Sequence, residues 1–206
     1  VTSIRIIQGD KKIYLTFDDG PSAESTLSVL KVLKDEGVVA TFFLVAEKAR
    51  ANPELLQEII TNGHSIGNHS LDHSYRAFFG SKKTMSAWIQ ASEDVFSKLG
   101  IQSVGFRPPA GVVTPPLIQA LKDRKEPLVR WNIRFFDTVI PWTKSRALAA
   151  LAQTQGGSIV LLHDAQSSRR IENFCLTLES YIRAARLKGF EFGSLTAELC
   201  RKQSSN

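Results

Sequence analysis

The sequence predicts an α/β protein with a mostly parallel sheet and helices outside it. Two observations carry that reading. Short apolar runs alternate with helically spaced segments along the whole chain, and the unusual polar clusters fall just after those runs. Alternation of this kind fits either a barrel or a doubly wound sheet, and in both the chemistry sits at the C-terminal ends of the strands.

The first strand is predicted over Lys12 to Phe17, ending on two acidic residues, and a helix follows from Glu24 to Glu36 with Leu27, Leu30 and Leu33 in helical spacing. Val38 to Val45 reads as a strand, Pro53 to Asn62 as a helix with proline at its start, and His64 to Gly67 as a short strand. A long helix spans Thr84 to Leu99, and a short strand ends at Arg107. A helix over Thr114 to Asp123 is followed by a strand over Leu128 to Ile133 and a helix over Lys144 to Thr154. The apolar run Ser158 to Leu162 stops at His163-Asp164. Ile171 to Lys188 is helical, Phe190 to Phe192 a brief strand, and the last helix runs to about Cys200 before a fraying polar tail. With no long linker, all 206 residues are expected to form a single domain with its core at about 12–200.

Composition narrows the function classes. No apolar run is long enough for a membrane span, and Val1-Thr2-Ser3-Ile4-Arg5 does not read as a signal peptide. The formal charge of +6 is scattered over Lys11-Lys12, Lys82-Lys83 and Arg169-Arg170, not gathered on one helix face, which argues against nucleic acid as a partner. A basic surface suits an anionic cell-wall polymer. Cys175 and Cys200 fall on separate predicted helices and leave buried thiols, free thiols and one disulfide open.

Thr16-Phe17-Asp18-Asp19-Gly20-Pro21 places two carboxylates where a strand meets a Gly-Pro turn, a sequence that equally suits a helix-capping turn. His69 and His73 lie four apart, which puts both imidazoles on one face if the segment is helical. With Asp19 they make a two-nitrogen, one-oxygen ligand set that leaves a coordination position open, the arrangement of a catalytic zinc. Such a hydrolase also needs a base and an acid, and Asp18 and His163 are the remaining candidates. His64 opens a strand and reads as structural. Arg107-Pro108-Pro109-Ala110-Gly111 is a stiff turn whose arginine can orient a carboxylate.

Together these motifs resemble the polysaccharide deacetylase family, carbohydrate esterase family 4, over roughly Lys12 to Cys200. The resemblance implies a distorted (β/α) barrel of mostly parallel strands, the NodB-homology fold of seven-stranded type. The family's TFDDGP motif stands at Thr16 to Pro21 and implies Asp18 as catalytic base and Asp19 as metal ligand. Its H-S/T-x-x-H motif stands at His69 to His73, after the lead-in Gly63-His64-Ser65-Ile66-Gly67-Asn68, and implies the other two ligands. The third motif, R-x-P-Y/F-G, has Ala110 at the aromatic position. Its backbone NH still suits an oxyanion hole, while the lost ring opens one wall of the groove. The fifth motif, Leu161-Leu162-His163-Asp164, implies His163 as general acid and Leu161 as a lining of the acetyl pocket.

The fourth motif departs from its pattern, D-x-x-D-W. Arg134 stands at the first aspartate and Thr138 at the tryptophan, with Asp137 retained. This is similar to the peptidoglycan-acting branch typified by muramic acid deacetylases. It leaves Asp137 either to take over the pairing with Arg107 or to make a structural hydrogen bond.

The implied activity is a zinc-dependent N-deacetylation, with Co²⁺ or Ni²⁺ also suited to the ligands. The implied partner is an N-acetylated glycan, peptidoglycan first, at N-acetylglucosamine or N-acetylmuramic acid. Chitooligosaccharides, or glycan binding without activity, are the alternatives. The implied location is periplasmic or extracellular.

Overall fold

The structure is a computed structural model and describes residues 2–204. In chain order its elements are β1 (Ser3–Ile4), β2 (Lys12–Asp18), α1 (Thr26–Asp35), β3 (Thr41–Leu44), α2 (Ala46–Ala51), α3 (Pro53–Thr61) and β4 (Ser65–Asn68). They continue with α4 (Lys82–Lys98), α5 (Pro115–Arg124), β5 (Leu128–Val129), β6 (Ile133–Arg134) and α6 (Lys144–Leu151). The chain closes with β7 (Ile159–His163), α7 (Ile171–Leu187), β8 (Glu191–Gly193) and α8 (Ala197–Ser204).

The strands are parallel, in the order β4-β3-β2-β7-β6, with β8 beside the start of β2 and β1 paired with β5. Single bridges close the two groups into a barrel: Phe106 joins Asn68 of β4 to Leu128 of β5, and Ile6, just past β1, pairs antiparallel with Ser158 before β7. Of the two arrangements open to the sequence, the barrel is the one formed.

Alternation along β2 explains the two-sided burial of this strand. Ile13, Leu15 and Phe17 point outward and pack with Val29, Leu30 and Leu33 of α1. Tyr14 points inward with Phe43, Val129 and Ile159. Thr16 and Asp18 share that inward face, so the register that buries the apolar residues also aims Asp18 at the barrel mouth. Helix starts follow local chemistry. The hydroxyl of Thr114 accepts from the Leu117 NH ahead of Pro115 and Pro116, and Ser81 accepts from Thr84 at the start of α4.

Several sequence expectations are corrected. Ala46–Ala51 forms a separate short helix between β3 and α3. The strand expected to end at Arg107 is only a bridge at Phe106, and the strand expected over Leu128 to Ile133 divides into β5 and β6. The polar tail past Cys200 stays helical through Ser204, since Cys200 is buried and the side chain of Gln203 hydrogen-bonds the backbone of Gln8. Both cysteines are free thiols, Cys200 buried and Cys175 partly so.

Candidate active site

Asp18 ends β2, His163 ends β7, and Asp19, His69 and Arg107 each follow a strand or bridge, so the polar residues meet at one end of the barrel. Asp18 and His163 are direct partners in the β2–β7 register.

The metal-ligand candidates converge. Asp19 Oδ1 lies 3.2 Å from His69 Nε2 and 3.1 Å from His73 Nε2, and one ligand atom from each of the three residues falls within 4.8 Å of the others. The segment joining the histidines is not the helix that their spacing allowed. Ser70 and His73 adopt left-handed backbone (φ 81° and 59°), and the loop folds back so that both rings reach Asp19. Asn68 braces it by accepting the Ser70 NH on Oδ1, and Ser70 Oγ accepts the His73 NH.

These residues fit a cation. His69 Nδ1 donates to the carbonyl of Arg107 at 2.8 Å, which in a neutral imidazole leaves a lone pair on Nε2. That lone pair faces a carboxylate oxygen, an arrangement that a positive ion between them relieves. Burial alone would raise the Asp19 carboxyl. The two imidazoles and the charge of His163 outweigh that and hold it well below the usual carboxylate range.

Beside the ligand set stands a fully buried ion pair. Arg107 Nη1 donates to Asp18 Oδ1 and to Thr16 Oγ1, both at 2.7 Å, while Nη2 and Nε donate to the carbonyls of Arg130 and Val129 at 3.0 and 3.3 Å. The guanidinium carbon sits 3.8 Å over the ring of Phe43. Asp18 Oδ2 is left facing His69, 3.8 Å from its Nε2.

Opposite this pair, His163 Nδ1 donates to Asp137 Oδ1 at 2.9 Å, and the His163 NH donates to Asp137 Oδ2 at 2.9 Å. Gln166 Nε2 donates to the same Oδ2 at 3.0 Å and to the His163 carbonyl at 2.9 Å. Asp137 therefore fastens His163 and does not pair with Arg107, four of whose five polar hydrogens are taken up by Asp18, Thr16 and two carbonyls. Burial pushes the His163 imidazole down, but the hydrogen bond and charge of Asp137, with Asp18 and Asp19 behind it, carry it up to about 9. Leu161, two residues earlier on β7, shares the face of His163 and is buried.

Ala110 is exposed and left-handed (φ 52°) in the turn that follows Arg107. The next residue, Gly111, lies so close to Trp131 that a Cβ there would come within 2.5 Å of the ring. His64 is buried as expected. Its Nδ1 accepts the Ala40 NH at 3.1 Å, and burial holds the ring down at about 4.

Sequence reasoning quoted Thr16 and Asp164 within their motifs without giving either a role, and it passed over Gln166. Thr16 was legible, because alternation puts it on the face of Asp18. Asp164 is fully buried against Gly20, with Oδ2 accepting from Thr26 Oγ1 at 2.6 Å, and burial pushes its carboxyl up to about 7.

Known proteins share this architecture. Residues 6–125 match the family model of polysaccharide deacetylase. A peptidoglycan-N-acetylglucosamine deacetylase of Listeria monocytogenes is 30% identical over 183 residues, 89% of this chain and 38% of that protein. The chain thus spans well under half of that relative's length. A peptidoglycan-N-acetylglucosamine deacetylase of Bacillus cereus is 32% identical over 162 residues, 78% of this chain and 76% of that protein. Among solved structures, the Bc1960 peptidoglycan N-acetylglucosamine deacetylase, in complex with an N-hydroxybenzamide compound, superposes with a TM-score of 0.83 at 28% identity, covering 94% of this chain and 90% of the other. With the match extending over more than half of its residues, the chain belongs to the polysaccharide deacetylase family.

Proposed function

We propose that this chain is a zinc-dependent N-deacetylase of an N-acetylated glycan, most specifically peptidoglycan, acting in the cell envelope as one catalytic domain. The observation that carries the reading is the convergence of Asp19, His69 and His73 between two separately braced groups, Asp18 on Arg107 and His163 on Asp137.

Asp19, His69 and His73 would hold the ion, whose Lewis acidity activates water and polarises the acetamide carbonyl. Asp18, held in place by Arg107 through Oδ1, accepts the proton of the attacking water on its other oxygen. The backbone NH of Ala110 faces the negative charge that develops on the carbonyl oxygen. His163 enters protonated, with Asp137 on Nδ1, and delivers the Nε2 proton to the departing amine. Leu161 lines the space for the acetyl methyl. No helix among the described residues is long and apolar enough to cross a membrane.

The test is release of acetate from purified peptidoglycan fragments and from chitooligosaccharides, measured after chelation and after adding back zinc, cobalt or nickel. Mass spectrometry of the products locates the lost acetyl group on one sugar. Zinc-restored release is expected. Release that is indifferent to chelation, or absent from every glycan with zinc restored, overturns the reading.

A further inference from the structure

Asp18, Asp19, Arg107, Asp137 and His163 are all ion-paired within the site, and Arg134 is not. Among the described residues no carboxylate pairs with it and no acceptor takes a hydrogen bond from its guanidinium, and it is exposed. It is nevertheless not loose. Its guanidinium carbon lies 4.2 Å from the ring centre of Phe136 and 5.7 Å from that of Trp131.

The position is set by the strands. Ile133 packs into the outer core, so Arg134, next along β6, emerges on the opposite face. There it registers with Leu161 of β7, the residue that shares a face with His163. Trp131 ties it to the other side of the site, since the same indole lies 5.7 Å from the guanidinium carbon of Arg107 and 5.8 Å from that of Arg130. One aromatic ring therefore separates Arg134 from the arginine that braces Asp18.

Phe136 reaches Arg134 through a left-handed backbone (φ 56°), an unfavourable conformation for a bulky residue. Its neighbours impose it: Phe135 packs against Trp142 with ring centres 4.5 Å apart and the rings tilted by 46°, and Asp137 is fastened to His163. The turn that positions the acid thus also lays an aromatic ring on Arg134. Stacking on the faces of a guanidinium leaves its N–H edge free and removes side-chain entropy before a ligand arrives, the condition for paired hydrogen bonds to a carboxylate.

We propose that Arg134, braced by Trp131 and Phe136 at the rim of the site, recognises a carboxylate carried by the glycan substrate. The inference rests on the deacetylase reading and sharpens its substrate class: a glycan with acidic substituents is preferred to a neutral one. In peptidoglycan the carboxylate is either the free lactyl group of a muramic acid or a carboxylate of an attached peptide, and chitooligosaccharides carry neither.

The experiment compares the wild-type chain with Arg134→Gln and Arg134→Lys on three zinc-supplemented probes: chitotetraose, a peptidoglycan tetrasaccharide with free lactyl groups, and the same tetrasaccharide bearing stem peptides. Affinity is read by calorimetry at two salt concentrations and turnover by acetate release. Arg134→Gln is expected to weaken binding and raise KM about five- to tenfold on a carboxylated probe while leaving chitotetraose within about twofold. The wild-type advantage should shrink with salt, and Arg134→Lys should recover only part of it. The carboxylated arm that responds identifies which carboxylate is read. Equal losses on all three probes, or no loss on either carboxylated one, overturn the proposal. If no probe releases acetate but the calorimetric difference persists, the deacetylase reading fails and the anion site stands.

Discussion

Arg107 holds Asp18 by one oxygen and leaves the other pointing at His69, with Nη1 to Oδ1 at 2.7 Å and Oδ2 to His69 Nε2 at 3.8 Å. The guanidinium is a four-way connector, reaching Thr16, Asp18 and the carbonyls of Val129 and Arg130 from a fully buried position. A lysine ammonium has three donors on a flexible stem and cannot reproduce that planar fork. Arg107→Lys is expected to lower kcat about a hundredfold by misplacing Asp18. It should also cost about 2–4 kcal/mol in urea unfolding, because buried acceptors lose their partners. Wild-type kcat in the variant would detach Arg107 from catalysis.

The pairing of His163 with Asp137 gives a pH prediction. A group whose folded pKa of about 9 exceeds the ordinary 6.5 stabilises the fold fully below 6.5, and that contribution is lost as pH rises through 9. The same proton is the one needed by the leaving amine, so activity falls on the alkaline side when it is lost. A bound cation offsets the charge of Asp19, placing the limb in the loaded enzyme somewhat below that of the metal-free protein. Asp137→Asn removes the main upward influence and leaves burial opposed only by the charges of Asp18 and Asp19. Both the NMR titration of the His163 ring and the alkaline limb of kcat should move down by one pH unit or more, to about 6.5–8. An unmoved limb would assign it to another group.

Metal binding should be visible without catalysis. Since the three ligand side chains meet only when the loop after β4 is folded, an ion that binds the native state raises stability by mass action. At zinc about a hundredfold above its dissociation constant the gain is about 2.7 kcal/mol, read as a rise in Tm that grows with zinc concentration. His73→Ala should abolish that zinc-dependent rise. A rise that survives the substitution would place the ion elsewhere.

The sequence exposed the ends of strands better than their extents. The alternation of Ile13, Leu15 and Phe17 and the buried run before His163 are strong periodic signals, and they located Asp18 and His163 correctly. Two-residue strands such as β1 and β6 have too few residues for a period, and their pairing depends on barrel closure. The histidine pair illustrates a different limit. Its spacing is compatible with a helix, but proximity here comes from left-handed turns at Ser70 and His73, which propensity disfavours and only the surrounding hydrogen bonds maintain. Asp137 was recognised and its partner was not, because the choice between Arg107 and His163 lies in the path of β6, for which local sequence holds no signal.

Gly20 offers a test of how tightly the first motif is fastened from behind. A Cβ at this position would lie 2.3 Å from both carboxylate oxygens of Asp164. That carboxyl cannot swing away, being fully buried, hydrogen-bonded by Thr26 and fixed through its main-chain carbonyl by the hydroxyl of Ser25. The strain of Gly20→Ala must therefore pass into the Asp19–Pro21 turn. Overpacking of this kind costs about 1–3 kcal/mol in unfolding free energy. Displacing Asp19 should also weaken zinc binding, so the variant would need more zinc than the wild type for half-maximal acetate release even where both are fully folded. Gly37→Ala is the control. Nothing lies within 4 Å of a Cβ there, so it carries only the cost of its left-handed backbone (φ 58°) and should leave the zinc requirement unchanged. If both variants lose stability alike and neither alters the zinc requirement, Asp164 is a bystander, and the turn is held by Pro21 and the start of α1 alone.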